Sequence, residues 1–177
     1  ADRYRFFPDG EDGWWRRICS LAFDGCFVPE PARPDARQLR EIFTRPSSWR
    51  VYPETRAVLA ALSDGGYRLG VISNWDSRLR NLLAELDLDR FFEVVIFSAE
   101  AGCEKPDASI FREALRRAGT EAARSVHIGD RLKEDYAAAR ACGLGALLID
   151  RGLEPEATGD DVVTDLADAM RRITGWR

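Results

Sequence analysis

Apolar residues near the N-terminus recur at helical spacing, without the alternation that is typical of strands. Trp14 and Ile18 lie on the apolar face of a helix predicted over residues 13–23. A proline-rich loop is predicted over residues 28–34, and a second amphipathic helix follows over residues 35–44. The pattern therefore predicts an all-helical N-terminal segment.

Beyond this segment, short apolar runs alternate with helical patterns of similar length. This alternation is typical of βαβ units, in which parallel strands form a sheet that helices cover on both faces. The predicted fold class is therefore α/β. The predicted strands are residues 68–73, 94–98, 125–128 and 146–149, and the predicted helices are residues 54–63, 77–86, 108–118, 132–141 and 165–173.

Composition and charge narrow the choice of partners. A net charge of −4 and a pI near 5.2 provide no basic field for a nucleic-acid backbone or an anionic membrane surface. The apolar runs are shorter than the roughly 18 residues that a membrane helix needs. The four cysteines show neither CxxC nor zinc-type spacing, which favours reduced thiols. We expect a cytoplasmic protein that acts on a small molecule.

Polar residues stand at the ends of three predicted strands, where parallel α/β sheets bind their ligands. Ser73 and Asn74 follow the first strand, and Lys105 lies beyond the second. Asp130 and Asp135 follow the third strand. Since the carboxyl ends of parallel strands share one edge of the sheet, we expect these side chains to lie close together.

The two carboxylates after the third strand are five residues apart, across a turn from strand to helix. Mg²⁺ prefers oxygen ligands and is usually held by one or two carboxylates together with water and phosphate. An aspartate after a strand is often only a helix N-cap, and an acid in the next turn often only complements the helix dipole. Taken alone, Asp130 and Asp135 leave both interpretations open.

The other candidates also have ordinary structural roles. The Ser73 hydroxyl and the amide of Asn74 could donate to phosphate, but a helix cap uses the same residue types. Pro106 keeps Lys105 extended, so that its ammonium can point into a cleft, although a single lysine is often only a solvated surface charge. His127, the only histidine, lies within a predicted strand and is predicted to be a packed core residue.

The combination of these groups favours a phosphate site. Asp130 and Asp135 would hold Mg²⁺ at the third strand. Lys105 and the cation would neutralise phosphoryl oxygens, which Ser73 would orient. The predicted chemistry is phosphoryl transfer from a small phosphorylated metabolite.

The chain resembles the haloacid dehalogenase-like hydrolase superfamily over residues 49–150, and its helical N-terminal segment is similar to the family's cap. The resemblance implies a Mg²⁺-dependent phosphatase that works through an aspartyl-phosphate, with the cap selecting the substrate. The resemblance also implies that Asp130 ligates Mg²⁺ directly and that Asp135 supports the ion through water or hydrogen bonds. It implies that Lys105 pairs with the nucleophile and the phosphate. The matching motifs are Val71-Ile72-Ser73-Asn74, Glu104-Lys105-Pro106-Asp107 and Gly129-Asp130 with Asp135.

One family motif has no match in the sequence. It is a strand that ends in Asp-x-Asp and carries the nucleophile and the general acid/base. Ala22-Phe23-Asp24 resembles its tail, but Ala22 has no carboxylate and the preceding residues follow helical periodicity. We therefore expect a partial helical cap over residues 1–48 and a Rossmann-like hydrolase core without its first strand over residues 49–177, and we expect this chain alone to be inactive.

Two alternative functions remain open from the sequence. The chain could be a catalytically inactive family member that serves as an interaction module. It could also derive from a 2-haloacid dehalogenase, a class that works without metal and does not need acids at Asp130 and Asp135. Because the missing strand is central in the family's sheet, its neighbours would carry unpaired backbone groups, and we expect marginal stability or self-association.

Overall fold

A computed structural model describes residues 3–24, 34–152 and 159–175. These residues form an α/β fold with parallel strands, which confirms the predicted fold class. The strands are β1 (Gly70–Ser73), β2 (Val94–Phe97), β3 (Val126–Gly129), β4 (Gly145–Ile149) and β5 (Val162–Val163). The helices are α1 (Gly10–Phe23), α2 (Ala36–Thr44), α3 (Thr55–Asp64), α4 (Leu79–Glu85), α5 (Ser98–Ala101), α6 (Ala108–Ala118), α7 (Ala138–Ala141) and α8 (Leu166–Gly175), with a π-helix at Leu132–Ala137 and 3₁₀ turns at Arg3–Phe6, Pro46–Ser48, Asp89–Phe91 and Ala122–Arg124.

Both predicted N-terminal helices are present, and α1 begins three residues earlier than predicted. A capping box fixes the start of α2: Asp35 accepts a hydrogen bond from the Gln38 amide at 2.8 Å, and the Gln38 side chain accepts one from the Asp35 amide at 2.9 Å. The proline-rich loop predicted over residues 28–34 lies outside the described residues except for Pro34. No helix of the described ranges has the length and apolar character required to cross a membrane.

The strands of the described residues form two separate parallel sheets. β1 pairs with β2 from Gly70 opposite Val94 to Ser73 opposite Phe97. β4 pairs with β3 on one side and with β5 on the other. Within the described ranges, β1 and β3 therefore each keep one edge without a strand partner. The sequence patterns did not predict β5, because a strand of two residues is too short to show an apolar pattern.

A cavity of about 310 Å³ separates the two sheets. Its walls include Val71 and Ile72 of β1, Val126 and His127 of β3, and Phe111 of α6. The two edges without strand partners thus face a common space.

The main core joins α6 to β2 and β4. Ile110 and Phe111 of α6 are fully buried and pack with Ile96, Ala139 and Ala146. This packing anchors α6 against the sheets. Lys105 lies just ahead of that helix, so the core also fixes the segment that carries its side chain.

The segment after β3 departs from the predicted α-helix over residues 132–141. Its first six residues form a π-helix, and α7 completes it. The amides of Asp135 and Tyr136 both donate to the carbonyl of Arg131, at 2.9 and 3.1 Å. Single π-turns are frequent at functional sites, and this one carries a predicted site residue, Asp135.

Candidate functional site

Lys105 lies at the carboxyl end of β1, and its backbone is fixed by the side chain of Asn74. The Asn74 amide group donates to the Lys105 carbonyl at 2.9 Å, and its carbonyl accepts from the Lys105 amide at 2.8 Å. The Lys105 ammonium donates to the Ile72 carbonyl at 3.1 Å and to the carboxylate of Asp135. The ammonium is therefore held between protein groups and is largely shielded from solvent.

Asp135 is buried and accepts hydrogen bonds from three directions. Besides Lys105, Nε2 of His127 lies 2.9 Å from its Oδ1, and the amide of Arg131 donates to its Oδ2 at 3.1 Å. Burial acts to raise the pKa of Asp135, but the hydrogen bond from His127 and the charge of Lys105 outweigh it. The pKa lies well below its usual range, so the carboxylate is ionised.

Gly129 makes room for this carboxylate. A Cβ atom at Gly129 would overlap the carboxyl group of Asp135, which rests directly against the end of β3. The π-turn brings Asp135 back over the strand from which the chain has just emerged. A strand ending in glycine and a widened first turn together place a buried carboxylate beside Lys105.

His127 belongs to the site, although it was predicted to be only a packed core residue. It does pack edge-on against Phe111, with ring centroids 5.2 Å apart, but its Nε2 also contacts Asp135. The alternation of β3 could have revealed the face on which His127 lies, although not its contact with Asp135. Residues two apart in a strand share a face, so His127 and Gly129 point to the side where Asp135 lies.

Asp130 occupies a different environment from Asp135. Its side chain is 76% exposed, and its carboxylate lies 3.9 Å from Nε of Arg131. It is absent from the hydrogen bonds that join Asn74, Lys105 and Asp135. Of the four side chains expected to converge, Ser73, Lys105, Asp130 and Asp135, direct contact joins Lys105 to Asp135 and does not include Asp130.

Ser73 and Asn74 also differ in what they can offer an anion. Ser73 ends β1, opposite Phe97. The side chain of Asn74 is bonded through both polar atoms to the backbone of Lys105, and the backbone amide of Asn74 remains the predicted phosphate donor. Within residues 3–24, 34–152 and 159–175, no three His, Cys, Asp or Glu side chains cluster as a complete metal cage.

The helical segment is joined to the core beside this site. Asp76 is buried and accepts from Nε1 of Trp15 at 2.9 Å and from Nε of Arg78 at 2.8 Å. The Arg78 guanidinium lies over the Trp15 ring, 4.7 Å from its centroid. Burial acts to raise the pKa of Asp76, but the hydrogen bonds from Arg78 and Trp15 lower it overall. α1 is thereby tied to the loop that follows β1.

Fold and site together define a parallel α/β protein with a buried lysine–carboxylate pair at the carboxyl ends of its strands, beside a helical segment. Residues 2–143 match the family described as haloacid dehalogenase-like hydrolase. The chain belongs to that family, and the resemblance drawn from its three motifs is confirmed.

Named relatives agree with this assignment. The chain is 38% identical to mouse haloacid dehalogenase-like hydrolase domain-containing protein 3 over 144 residues, which are 80% of this chain and 57% of that protein. It is 41% identical over 119 residues to a glyceraldehyde 3-phosphate phosphatase of Methanothermobacter thermautotrophicus, covering 64% of this chain and 50% of that protein. The chain thus spans about half the length of such relatives.

Solved structures support the fold independently. A HAD phosphatase from Thermococcus onnurineus superimposes with a TM-score of 0.71 at 28% sequence identity. The superposition covers 90% of this chain and 70% of that one. The similarity therefore extends over the helical segment as well as the core.

Proposed function

We propose that the protein is a Mg²⁺-dependent phosphatase that acts on a small phosphomonoester through an aspartyl-phosphate. The observation that carries the proposal is the buried contact between Lys105 and Asp135 at the carboxyl ends of parallel strands. Such a site presents a fixed positive charge beside an ionised carboxylate. This arrangement suits the binding of a phosphoryl group together with a cation.

The donor chemistry of the two aspartates fits Mg²⁺. Asp130 offers an exposed carboxylate that could ligate the ion directly, whereas Asp135, already bonded to Lys105, would support it through water or hydrogen bonds. When bound, Mg²⁺ would supply positive charge to phosphoryl oxygens. Ser73 and the backbone amide of Asn74 would orient the phosphoryl group, and the Lys105 ammonium would neutralise part of the negative charge of that group.

The proposal includes a further strand between the two sheets, which completes the Rossmann-like core of residues 49–177 beside the partial cap of residues 1–48. The facing edges of β1 and β3 have no strand partner among the described residues, and unsatisfied edges attract another strand. A parallel strand in the cavity would end level with Ser73 and Gly129. An aspartate nucleophile at its end would therefore arrive next to Lys105.

The substrate proposed is a small phosphorylated metabolite in the cytoplasm, with neither nucleic acid nor membrane as a partner. The name of the Methanothermobacter relative, a glyceraldehyde 3-phosphate phosphatase, supports this substrate class. Cys19, Cys103 and Cys142 are free thiols, which suits a reducing compartment.

Binding of inorganic phosphate to the 177-residue chain tests the proposed site. We expect isothermal titration to detect phosphate binding that Mg²⁺ strengthens. Asp130→Asn should abolish the effect of Mg²⁺, whereas Asp64→Asn, which removes an equal charge from an exposed position, should not. Phosphate binding that is insensitive to both Mg²⁺ and Asp130 would contradict the proposed metal role.

A hydrolysis assay tests the proposed absence of the nucleophile. With p-nitrophenyl phosphate and Mg²⁺, we expect no turnover by this chain. Robust turnover that Asp130→Ala abolishes would place a nucleophile within the 177 residues. Chloride release from 2-chloropropionate without Mg²⁺ would instead support a dehalogenase.

A further inference from the structure

An apolar pocket of about 350 Å³ lies between the N-terminal helices and the loop after β1. Its size falls within the range of small-molecule sites. The rings of Trp14 and Trp15 meet edge-on at 5.1 Å, and Trp15 meets Phe43 at 5.4 Å, so aromatic faces and edges form a continuous wall. Its lining includes Trp14, Trp15, Ile18, Phe43, Asn74 and Trp75.

The pocket adjoins the proposed phosphate site through Asn74. That residue lines the pocket and is hydrogen-bonded through its side chain to the backbone of Lys105. Its neighbour Trp75 also lines the pocket. The organic group of a phosphomonoester held at Ser73 and Lys105 would therefore have this pocket beside it.

The charged and amide side chains of the lining are already bonded to protein groups. Asn74 is bonded to Lys105 as above, and Arg3 donates to Glu104 at 2.6 Å. Asp76 accepts from Trp15 and Arg78. Most of the lining is aromatic or aliphatic, so a polyhydroxy or charged organic group would lose hydration against these walls with few hydrogen-bond partners to replace it.

We infer that the pocket binds a flat apolar group, so that the preferred substrates are phosphomonoesters of aryl alcohols; this inference rests on the proposed function. An aromatic ring would gain contact with aromatic faces and edges in the offset or edge-on geometry that such rings prefer. The helical segment would thus select substrates by apolar packing rather than by hydrogen bonding.

Isothermal titration of the 177-residue chain with Mg²⁺ and three ligands tests this inference. Phenyl phosphate is expected to bind at least about tenfold more tightly than glycerol 1-phosphate, since only the former fills an apolar pocket. Inorganic phosphate serves as the third ligand and reports on the phosphate site itself.

Two phenylalanine variants locate the effect. Phe43→Ala should weaken phenyl phosphate binding about three- to tenfold and leave inorganic phosphate binding within about twofold. Phe6→Ala, at a 75% exposed position that does not line the pocket, should change neither.

The outcomes separate this inference from the proposed function. If inorganic phosphate binds but phenyl phosphate binds no more tightly than glycerol 1-phosphate, the aryl preference is wrong and the phosphatase proposal stands. If none of the three ligands binds, both fail. The comparison of ligands on the unmodified chain decides the matter even if Phe43→Ala does not fold.

Discussion

Lys105 and Asp135 form an ion pair across thirty residues of sequence, with side-chain exposures of 11% and 3%. Two charges at this depth stabilise a fold only while both are present, because either one alone keeps its desolvation cost without a counter-charge. His127 adds a second contact to the same carboxylate oxygen. The pair therefore connects the loop between α5 and α6 to the turn after β3.

Replacement of Asp135 should be costly for stability. Asp135→Asn leaves the Lys105 ammonium buried without its counter-charge, and we expect a loss of about 3 kcal/mol in the free energy of unfolding. Urea denaturation followed by circular dichroism measures the change. Asp64→Asn, at an exposed position, should cost less than about 0.5 kcal/mol. Equal effects of the two variants would show that the pair does not stabilise the fold.

Acid should destabilise the protein through the same carboxylate. The pKa of Asp135 is lower in the folded state than in the unfolded chain, where an aspartate titrates near pH 3.9. As pH falls, Asp135 is therefore protonated first in the unfolded state. Its contribution to the free energy of unfolding is complete above about pH 4 and declines as pH falls toward the pKa of the folded state. Asp76, whose pKa is also lowered, adds to this loss.

Denaturation between pH 7 and pH 3 measures this dependence. We expect the unfolding free energy to fall below about pH 4, and to fall less steeply in Asp135→Asn than in the unmodified chain. Identical slopes for the two proteins would contradict the assigned role of Asp135.

The glycine at the end of β3 should tolerate no side chain. Gly129→Ala would push a methyl group into the carboxylate of Asp135, and we expect a loss of about 1–3 kcal/mol together with weaker phosphate binding. Gly175→Ala is a matched control, because a Cβ there meets nothing within 4 Å. Thermal unfolding of both variants would test the prediction. A Gly129→Ala variant as stable as the unmodified chain would contradict the close contact between residue 129 and the Asp135 carboxylate.

The facing edges of β1 and β3 should make the isolated chain prone to association. Backbone groups at an edge without a partner pair readily with another chain. Sedimentation velocity across a range of concentrations should therefore reveal self-association, or a thermal scan followed by circular dichroism should show a poorly cooperative transition. A monomer that unfolds cooperatively in dilute solution would count against the proposed additional strand.

Sequence patterns identified the elements that extend over several residues. The runs that became β1 to β4 were found because each is a short apolar stretch between helical patterns, and Lys105 was singled out because such strands end where ligands bind. The type of helix at Leu132–Ala137 could not be predicted, since it depends on how Asp135 reaches back over β3.

Contacts between distant side chains were harder to predict. The side chain of Asn74 is bonded to the backbone of Lys105, thirty-one residues away, and no pattern of residue types indicated this contact. Likewise, periodicity indicated that His127 lies in a strand but not which group it faces. The exposure of Asp130 depends on a side-chain orientation at a turn, which no pattern of residue types determines.

The most direct test of the phosphate site compares the only two lysines of the chain. Lys105→Met should abolish Mg²⁺-dependent binding of inorganic phosphate, because it removes the buried positive charge, whereas Lys133→Met, at an exposed position of the same charge, should bind phosphate like the unmodified chain. Isothermal titration of the three proteins decides between the alternatives. Undiminished phosphate binding by folded Lys105→Met would contradict the account.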